Sequence, residues 1–476
     1  MQSNRIIQPR RGGRFRLPRR VLSAFLASLV LNAVGGVAHV LAAEQPAQPT
    51  LSEADALASF DQVWEQVRRQ YFDFERIESD WEQAREQLRP RAAQATDVVA
   101  LREVLHELLD QIGESHFGIL PIEAFEQMAA LEEGADEAVE IAPEAPRAST
   151  GLAVRWVEDS IRVSEVGARS PASEAGIEPG WTLLAVDEFA IDPAVERIAA
   201  IADEGDRRRA RTRLEYALQY RLTYPRPEHE MDLVFLDAAG DERRPALSGR
   251  PLEHGAVQIG FLPPMTFEFS LRRLDIPAGC VSVLSFSTWV PALIDEFQGR
   301  RDEIFGCDAL VLDLRGNPGG VLATMVTLAN DLFEETALLG TLLRSDARLE
   351  FRAFPRRVAM DGTRLSPFTG PVAVLIDSMS GSTSEMFAAG MQAQGRARLF
   401  GERSAGMALP SRMLPLASGD YLMYAFADYQ DSLGRRIEGA GVQPDQPVPL
   451  DAENITDVPS PVLQAGLDWI TDQLAP

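Results

Sequence analysis

The chain has 476 residues, 45% of them hydrophobic and 25% charged, enough for about two to four domains with ordinary apolar cores. Its formal net charge of −25 argues against nucleic acid or an anionic lipid surface as the main partner. All 46 basic side chains are arginine and there is no lysine. Arginine does not deprotonate at accessible pH, so any mechanism that rests on a lysine base is excluded.

Residues 1–20 run against the acidic trend, with seven arginines and no acid. An apolar run from Val21 to Ala43 follows and ends in Val40-Leu41-Ala42-Ala43. A basic start, an apolar middle and small residues at the end predict a signal peptide over residues 1–43, cleaved after Ala42 or Ala43. The alternative is an uncleaved span acting as a membrane anchor. Asn32, Gly35, Gly36 and His39 interrupt the run and favour cleavage. Either outcome places the folded part outside the cytoplasm, periplasmic or secreted.

Residues 51–121 read as a helical region. Leu57, Phe60, Val63, Val67 and Tyr71 recur at helical spacing, and a second amphipathic stretch runs from Thr96 to Ile112. Residues 122–148 are rich in Glu, Ala and Pro and read as an acidic linker.

From Gly151 the pattern changes to short alternating strands, two of them around a Glu158-Asp159-Ser160 turn. Ser170-Pro171-Ala172-Ser173-Glu174-Ala175-Gly176 then reads as a short helix ending in glycine, with a strand from Trp181 to Val186. This order over residues 150–250 resembles a PDZ domain, with Gly151, Leu152 and Ala153 as its carboxylate-binding loop. Successive backbone N–H groups there could hold a peptide C-terminus while the peptide adds a strand. An arginine-rich helical insertion is expected near Pro193 to Leu222, and a hairpin from Met231 to Leu247 turns at Ala239-Gly240-Asp241.

Residues 260–476 alternate continuous apolar strands (Cys280–Phe286, Ala309–Leu314, Val372–Ile376) with helices near 291–304, 321–334 and 384–395, an α/β layer domain. The two cysteines, Cys280 and Cys307, each open an apolar run; a disulfide and two buried thiols are both compatible with that. No metal-ligand spacing occurs, so neither a metal nor another cofactor is expected.

Four pieces carry chemistry. Ser382 follows a buried strand and opens a helix, whose free N–H groups and dipole favour negative charge there. The same residues form a capping box, Ser382-Thr383-Ser384-Glu385, common at ordinary helix starts. The run Asp313 to Gly320, with Gly319 and Gly320, lets backbone N–H groups approach a ligand; with the Thr383 N–H it could stabilise an oxyanion. Ser115-His116 follows a helix. Glu438 lies in the run Ile437 to Val448. A serine nucleophile needs a base, and imidazole has the right pKa near neutrality.

Together these pieces, in this order, resemble the tail-specific, C-terminal-processing serine protease family. Its lysine-using branch has an aspartate 11 residues and a lysine 25 residues after the nucleophile, where this chain has Ala393 and Met407. The departure resembles the tricorn-like branch, with a Ser-His-Ser-Glu tetrad. The resemblance implies Ser382 as nucleophile, His116 as base, and Ser115 and Glu438 as the relay that orients it. It also implies Gly319 or Gly320 with Thr383 as the oxyanion hole. The implied fold is α/β: a crotonase/ClpP-like protease core with an N-terminal helical region and an inserted PDZ-like domain. The implied partners are proteins or peptides with exposed C-termini. Two other readings compete: an inactive relative that binds peptides or apolar ligands, and acyl-CoA chemistry on the shared Gly-Gly turn. Retention of Ser115, His116, Ser382 and Glu438 speaks against the first. Export and the PDZ-like segment speak against the second.

Overall fold

The computed structural model of the chain describes residues 51–121, 148–223, 225, 230–251, 256–257, 265–359 and 361–475. The expected leader at 1–43 and the acidic linker, apart from Ala148, lie outside the described residues.

The central scaffold is a sheet of six strands: Phe269–Ile276, Gly279–Phe286, Ala309–Asp313, Val372–Ile376, Arg398–Gly401 and Gln446–Pro447. Spatial order follows chain order. The first two strands form an antiparallel hairpin and the others are parallel. Parallel strands bury both faces, which accounts for their unbroken apolar runs. Side chains alternate between two cores. Leu310, Leu312, Val372, Val374 and Ile376 face a core with the helices Pro291–Gly299, Leu322–Ala329 and Thr383–Ala393. Ala309, Val311, Ala373 and Leu375 face the helix Pro461–Leu474 through Val462, Leu463, Leu467 and Ile470.

The expected helix over 321–334 is shorter, Leu322–Ala329. Asn330 ends it: the side-chain oxygen takes the Phe354 N–H and its carbonyl takes the Arg356 N–H, so the backbone turns away. Cys280 and Cys307 are disulfide-bonded, with Cα atoms 5.0 Å apart. Cys280 lies at the start of one of two neighbouring parallel strands and Cys307 just before the other; their register places Val281 opposite Ala309 and so brings the two cysteines together.

Residues 51–121 form three helices, Glu53–Gln70, Phe74–Ala93 and Val98–Asp110. Trp64 and Trp81 lock the first two: each indole N–H donates to the other residue's carbonyl. This region does not make a core of its own. Phe60, Val63, Leu101 and Leu105 share one with Leu416, Leu422, Tyr424 and Phe426, far along the chain. The strand Gly118–Leu120 pairs antiparallel with Tyr421–Ala425. Arg102 forms a buried ion pair with Asp420 at 2.7 Å.

Residues 152–248 build a separate sheet whose main path runs Leu152–Val157, Ser160–Val166, Thr182–Val186, Glu230–Leu236, Glu242–Arg243. The expected arginine-rich insertion is two helices, Asp192–Ala199 and Glu204–Thr223. Among the described residues no helix is long and apolar enough to cross a membrane.

Candidate active site

Two turns leave neighbouring parallel strands, Ala309–Asp313 and Val372–Ile376, at their carboxyl ends. Parallel sheets place their chemistry at these ends. The first turn carries Asn317, Gly319 and Gly320, and the second carries Ser382. Asn317 joins them. Its carbonyl accepts from Gly381 N and Ser384 Oγ, and its side-chain oxygen accepts from Gly319 N and Ser384 Oγ. Gly319 has φ +101°, and a Cβ there would lie 2.8 Å from Ser382 Cβ, Gly381 O and Thr383 N, so the contact with the nucleophile turn requires glycine. Thr383 Oγ1 donates to the Gly320 carbonyl at 2.9 Å.

Ser382 is buried and has φ +47°, a conformation that costs a non-glycine residue about 1–3 kcal/mol. Its N–H donates to Met407 O and to Glu385 Oε2. Glu385 is fully buried and also accepts from Ser404 Oγ, Gly406 N and Met407 N. Burial pushes its carboxyl up to about 7, against the pull of those donors. The capping-box reading of Ser382–Glu385 understated this residue. It ties Ser382 to the 404–407 loop as well as capping its helix.

The same loop reaches the relay. Ala408 N donates to Glu438 Oε2 at 2.7 Å. Glu438 also accepts from Ser115 N at 2.8 Å and Ser115 Oγ at 2.9 Å. Ser115 Oγ lies 2.6 Å from His116 Nδ1. With Glu438 ionised, the hydroxyl gives its one proton to the carboxylate and the ring proton is assigned to Nδ1. Nε2 is then the basic one, and it is buried with no hydrogen-bond partner. Burial, helped by the Arg213 charge, lowers His116 to about 3, which keeps the ring neutral. Burial raises Glu438 to about 7 against its three donors.

All four residues singled out for the tetrad therefore belong to one connected network: Ser382 N to Met407 O, and one residue on, Ala408 N to Glu438, Ser115 and His116. Gly319, Gly320 and Thr383 border it. Gly151, Leu152 and Ala153 stand apart, at the start of an edge strand. Gly151 N donates to Ser149 Oγ and Leu152 N to Thr150 Oγ1. Further along that edge, Val154 N and Trp156 N donate to Gln219 and Glu215 of the helix Glu204–Thr223. The same helix reaches the core: Ser378 Oγ donates to Glu215, Tyr216 OH donates to Met379 O, and Tyr216 packs with Met379, Ala405 and Met407. Sequence reading saw an arginine-rich insertion there and no role for Glu215, Tyr216 or Gln219. Their signal was the apolar and amide residues interleaved among the arginines.

This fold and site define a mixed helix/sheet scaffold with a serine at a strand–helix turn, linked through residues 404–408 to the hydrogen-bonded cluster of Glu438, Ser115 and His116. Residues 278–448 match peptidase family S41, and residues 52–110 match the tricorn protease C1 domain. A carboxyl-terminal-processing protease of Synechocystis is 25% identical over 311 residues, 65% of this chain and 64% of that protein. One of Picosynechococcus is 30% identical over 174 residues, 36% of this chain and 40% of that protein. The matches thus span less than two thirds of these relatives. Among solved structures, the photosystem II D1 C-terminal processing protease superposes with TM-score 0.54 at 21% identity, over 85% of this chain and 96% of that one. Mature CPAF gives 0.55 at 14% identity, over 89% and 96%. The two matched segments, residues 278–448 and 52–110, are thus similar to the tail-specific peptidases of family S41 and to the tricorn protease.

Proposed function

We propose that this protein is an exported serine endopeptidase that cleaves proteins presenting free C-termini. The observation that carries the reading is the His116 ring: Nδ1 is engaged by Ser115 Oγ, which itself bonds Glu438, Nε2 is unpartnered, and one loop joins this relay to Ser382. In the proposed reaction Nε2 takes the Ser382 proton as Oγ attacks the scissile carbonyl. The imidazolium passes that proton to the leaving amine, and water then hydrolyses the acyl-enzyme by the reverse sequence. Glu438, through Ser115, stabilises the imidazolium.

The oxyanion donors are assigned to Gly320 N–H and Thr383 N–H, because Gly319 N–H is already given to Asn317. On this reading the second of the two glycines supplies the donor. The core is read as crotonase/ClpP-like. Residues 150–250 are read as a PDZ-like domain, supported by the edge strand Leu152–Val157 lying against the helix Glu204–Thr223. A peptide adding to that edge must displace Gln219 and Glu215. Export rests on the basic and apolar composition of residues 1–43. An inactive, ligand-carrying relative would have no need of a complete relay ending in an unpartnered base.

The test is labelling of the purified protein with a fluorophosphonate, with the adduct located by mass mapping. The adduct is expected on Ser382, and Ser382→Ala abolishes both labelling and peptide hydrolysis. Labelling that survives in Ser382→Ala would assign the chemistry to another serine and overturn the proposal.

A further inference from the structure

Glu114 has no part in the relay, yet it adjoins Ser115 and is almost fully buried, its side chain 9% exposed. Its Oε1 accepts from two arginines. Arg76 Nη2 lies 3.2 Å away and comes from the helix Phe74–Ala93. Arg436 Nη2 lies 2.8 Å away and comes from the core, two residues before Glu438. Each arginine is itself held. Arg76 Nη2 also donates to Tyr71 OH and to the Ile112 carbonyl. Arg436 Nε donates to both oxygens of Asp428. Glu114 thus bridges the two parts of the molecule that each supply half of the relay, the loop with Ser115 and His116 and the segment with Glu438.

His116 needs such a clamp. It has φ +63°, unusual for a histidine, and such strain persists only when the surroundings over-determine it. Ser115 is fixed on one side by its two bonds to Glu438. Glu114, on the other side, fixes the incoming backbone.

We infer that Glu114 is a positioning residue for the His116 base, acting through Arg76 and Arg436 to hold the loop against Glu438. The inference rests on the peptidase reading only for its kinetic arm. A misplacement of about 1 Å in a catalytic group costs on the order of a hundredfold in rate. Glu114→Gln keeps the side-chain shape and loses the charge that draws both guanidinium groups to one oxygen. The groups facing the loop there are Arg76, Arg436, Asp428, Tyr71 and Glu438. Burial lowers His116, with the Arg213 charge adding to it, so the clamp is read through the tautomer and placement of the ring rather than through its titration.

The experiment compares full-length wild type, Glu114→Gln and Glu114→Asp by three readouts: fluorophosphonate labelling rate, kcat and KM on a peptide, and the ¹⁵N imidazole shifts of His116. In Glu114→Gln, kcat and labelling rate are expected to fall about tenfold to a hundredfold with KM within about twofold. The ring should move from a single Nδ1–H form to a tautomer mixture, and Glu114→Asp should recover part of each effect. Wild-type His116 shifts and labelling rate retained in Glu114→Gln would overturn the inference, as would losses that only track the folded fraction measured by circular dichroism. If wild type itself takes no label, the peptidase reading fails, and the imidazole shifts still decide the role of Glu114.

Discussion

Ser382 and His116 are both buried, both have positive φ, and both follow the end of a regular element, but they are held in opposite ways. The nucleophile turn is secured mostly by its own neighbourhood: Glu385 three residues on, and the Gly319 and Asn317 turn from the adjacent strand. The base is secured by residues more than 300 positions away, with sequence separations of 323 to Glu438 for Ser115 and 322 to Arg436 for Glu114. The proposed nucleophile is therefore built into the core, whereas the proposed base is delivered by a docked region and depends on the docking.

Three measurements sharpen or break that contrast. The largest effect is expected from Arg102→Ala, far from either catalytic group. It leaves Asp420 buried without its ion-pair partner, at a cost of about 3–5 kcal/mol. Urea denaturation should show that loss, and limited proteolysis should cut first within residues 51–121. A Cm shift below about 0.5 kcal/mol equivalent would mean that the helices are held by apolar packing alone.

Next comes Gly319→Ala. Its Cβ would press on Ser382 Cβ and Thr383 N at 2.8 Å and move the oxyanion donors, for a fall in kcat of about 10²–10³. Helical content and the Arg102–Asp420 docking should be unaffected. Activity within about threefold of wild type would show that the turn adapts, and would weaken the assignment of the oxyanion site.

The smallest effect is on pH. His116 is lowered to about 3 by burial, so the acid limb of kcat/KM should lie below the free-imidazole value of about 6.5. The stability consequence has a defined sign. A histidine whose folded pKa is depressed contributes stability above the unfolded value of about 6.5 that is lost as pH falls toward 3. The buried carboxyls Glu385 and Glu438, raised to about 7, act oppositely: their contribution is present below about 4.3 and is lost as pH rises through 7. An acid limb at 6.5 or above would show that the imidazole is solvated during turnover.

Much of the core was legible. Unbroken apolar runs identified the strands Gly279–Phe286, Ala309–Asp313 and Val372–Ile376, and helix starts near 291, 321 and 384 fell within one residue of those observed. Local patterns write such elements directly, because each residue's face is set by its near neighbours. The element that came out shorter than its pattern, Leu322–Ala329, was ended by a tertiary contact of Asn330. The treatment of 51–121 as a region in its own right missed its sharing of a core with Leu416, Leu422 and Phe426. No periodicity records which distant strand an apolar helix face will meet.

The chemistry divides along the same line. From the residues alone came the absence of lysine, the serine at a strand–helix turn, the paired glycines and a short list of histidines. Each is a statement about composition or about near neighbours. Which ring nitrogen of His116 is free, that Cys280 meets Cys307, that Glu385 braces the loop to Glu438, and that Glu114 is shared by Arg76 and Arg436 were decided only by the folded chain. Those facts are hydrogen bonds and contacts between segments far apart in sequence, and such pairings exist only once burial has brought the segments together.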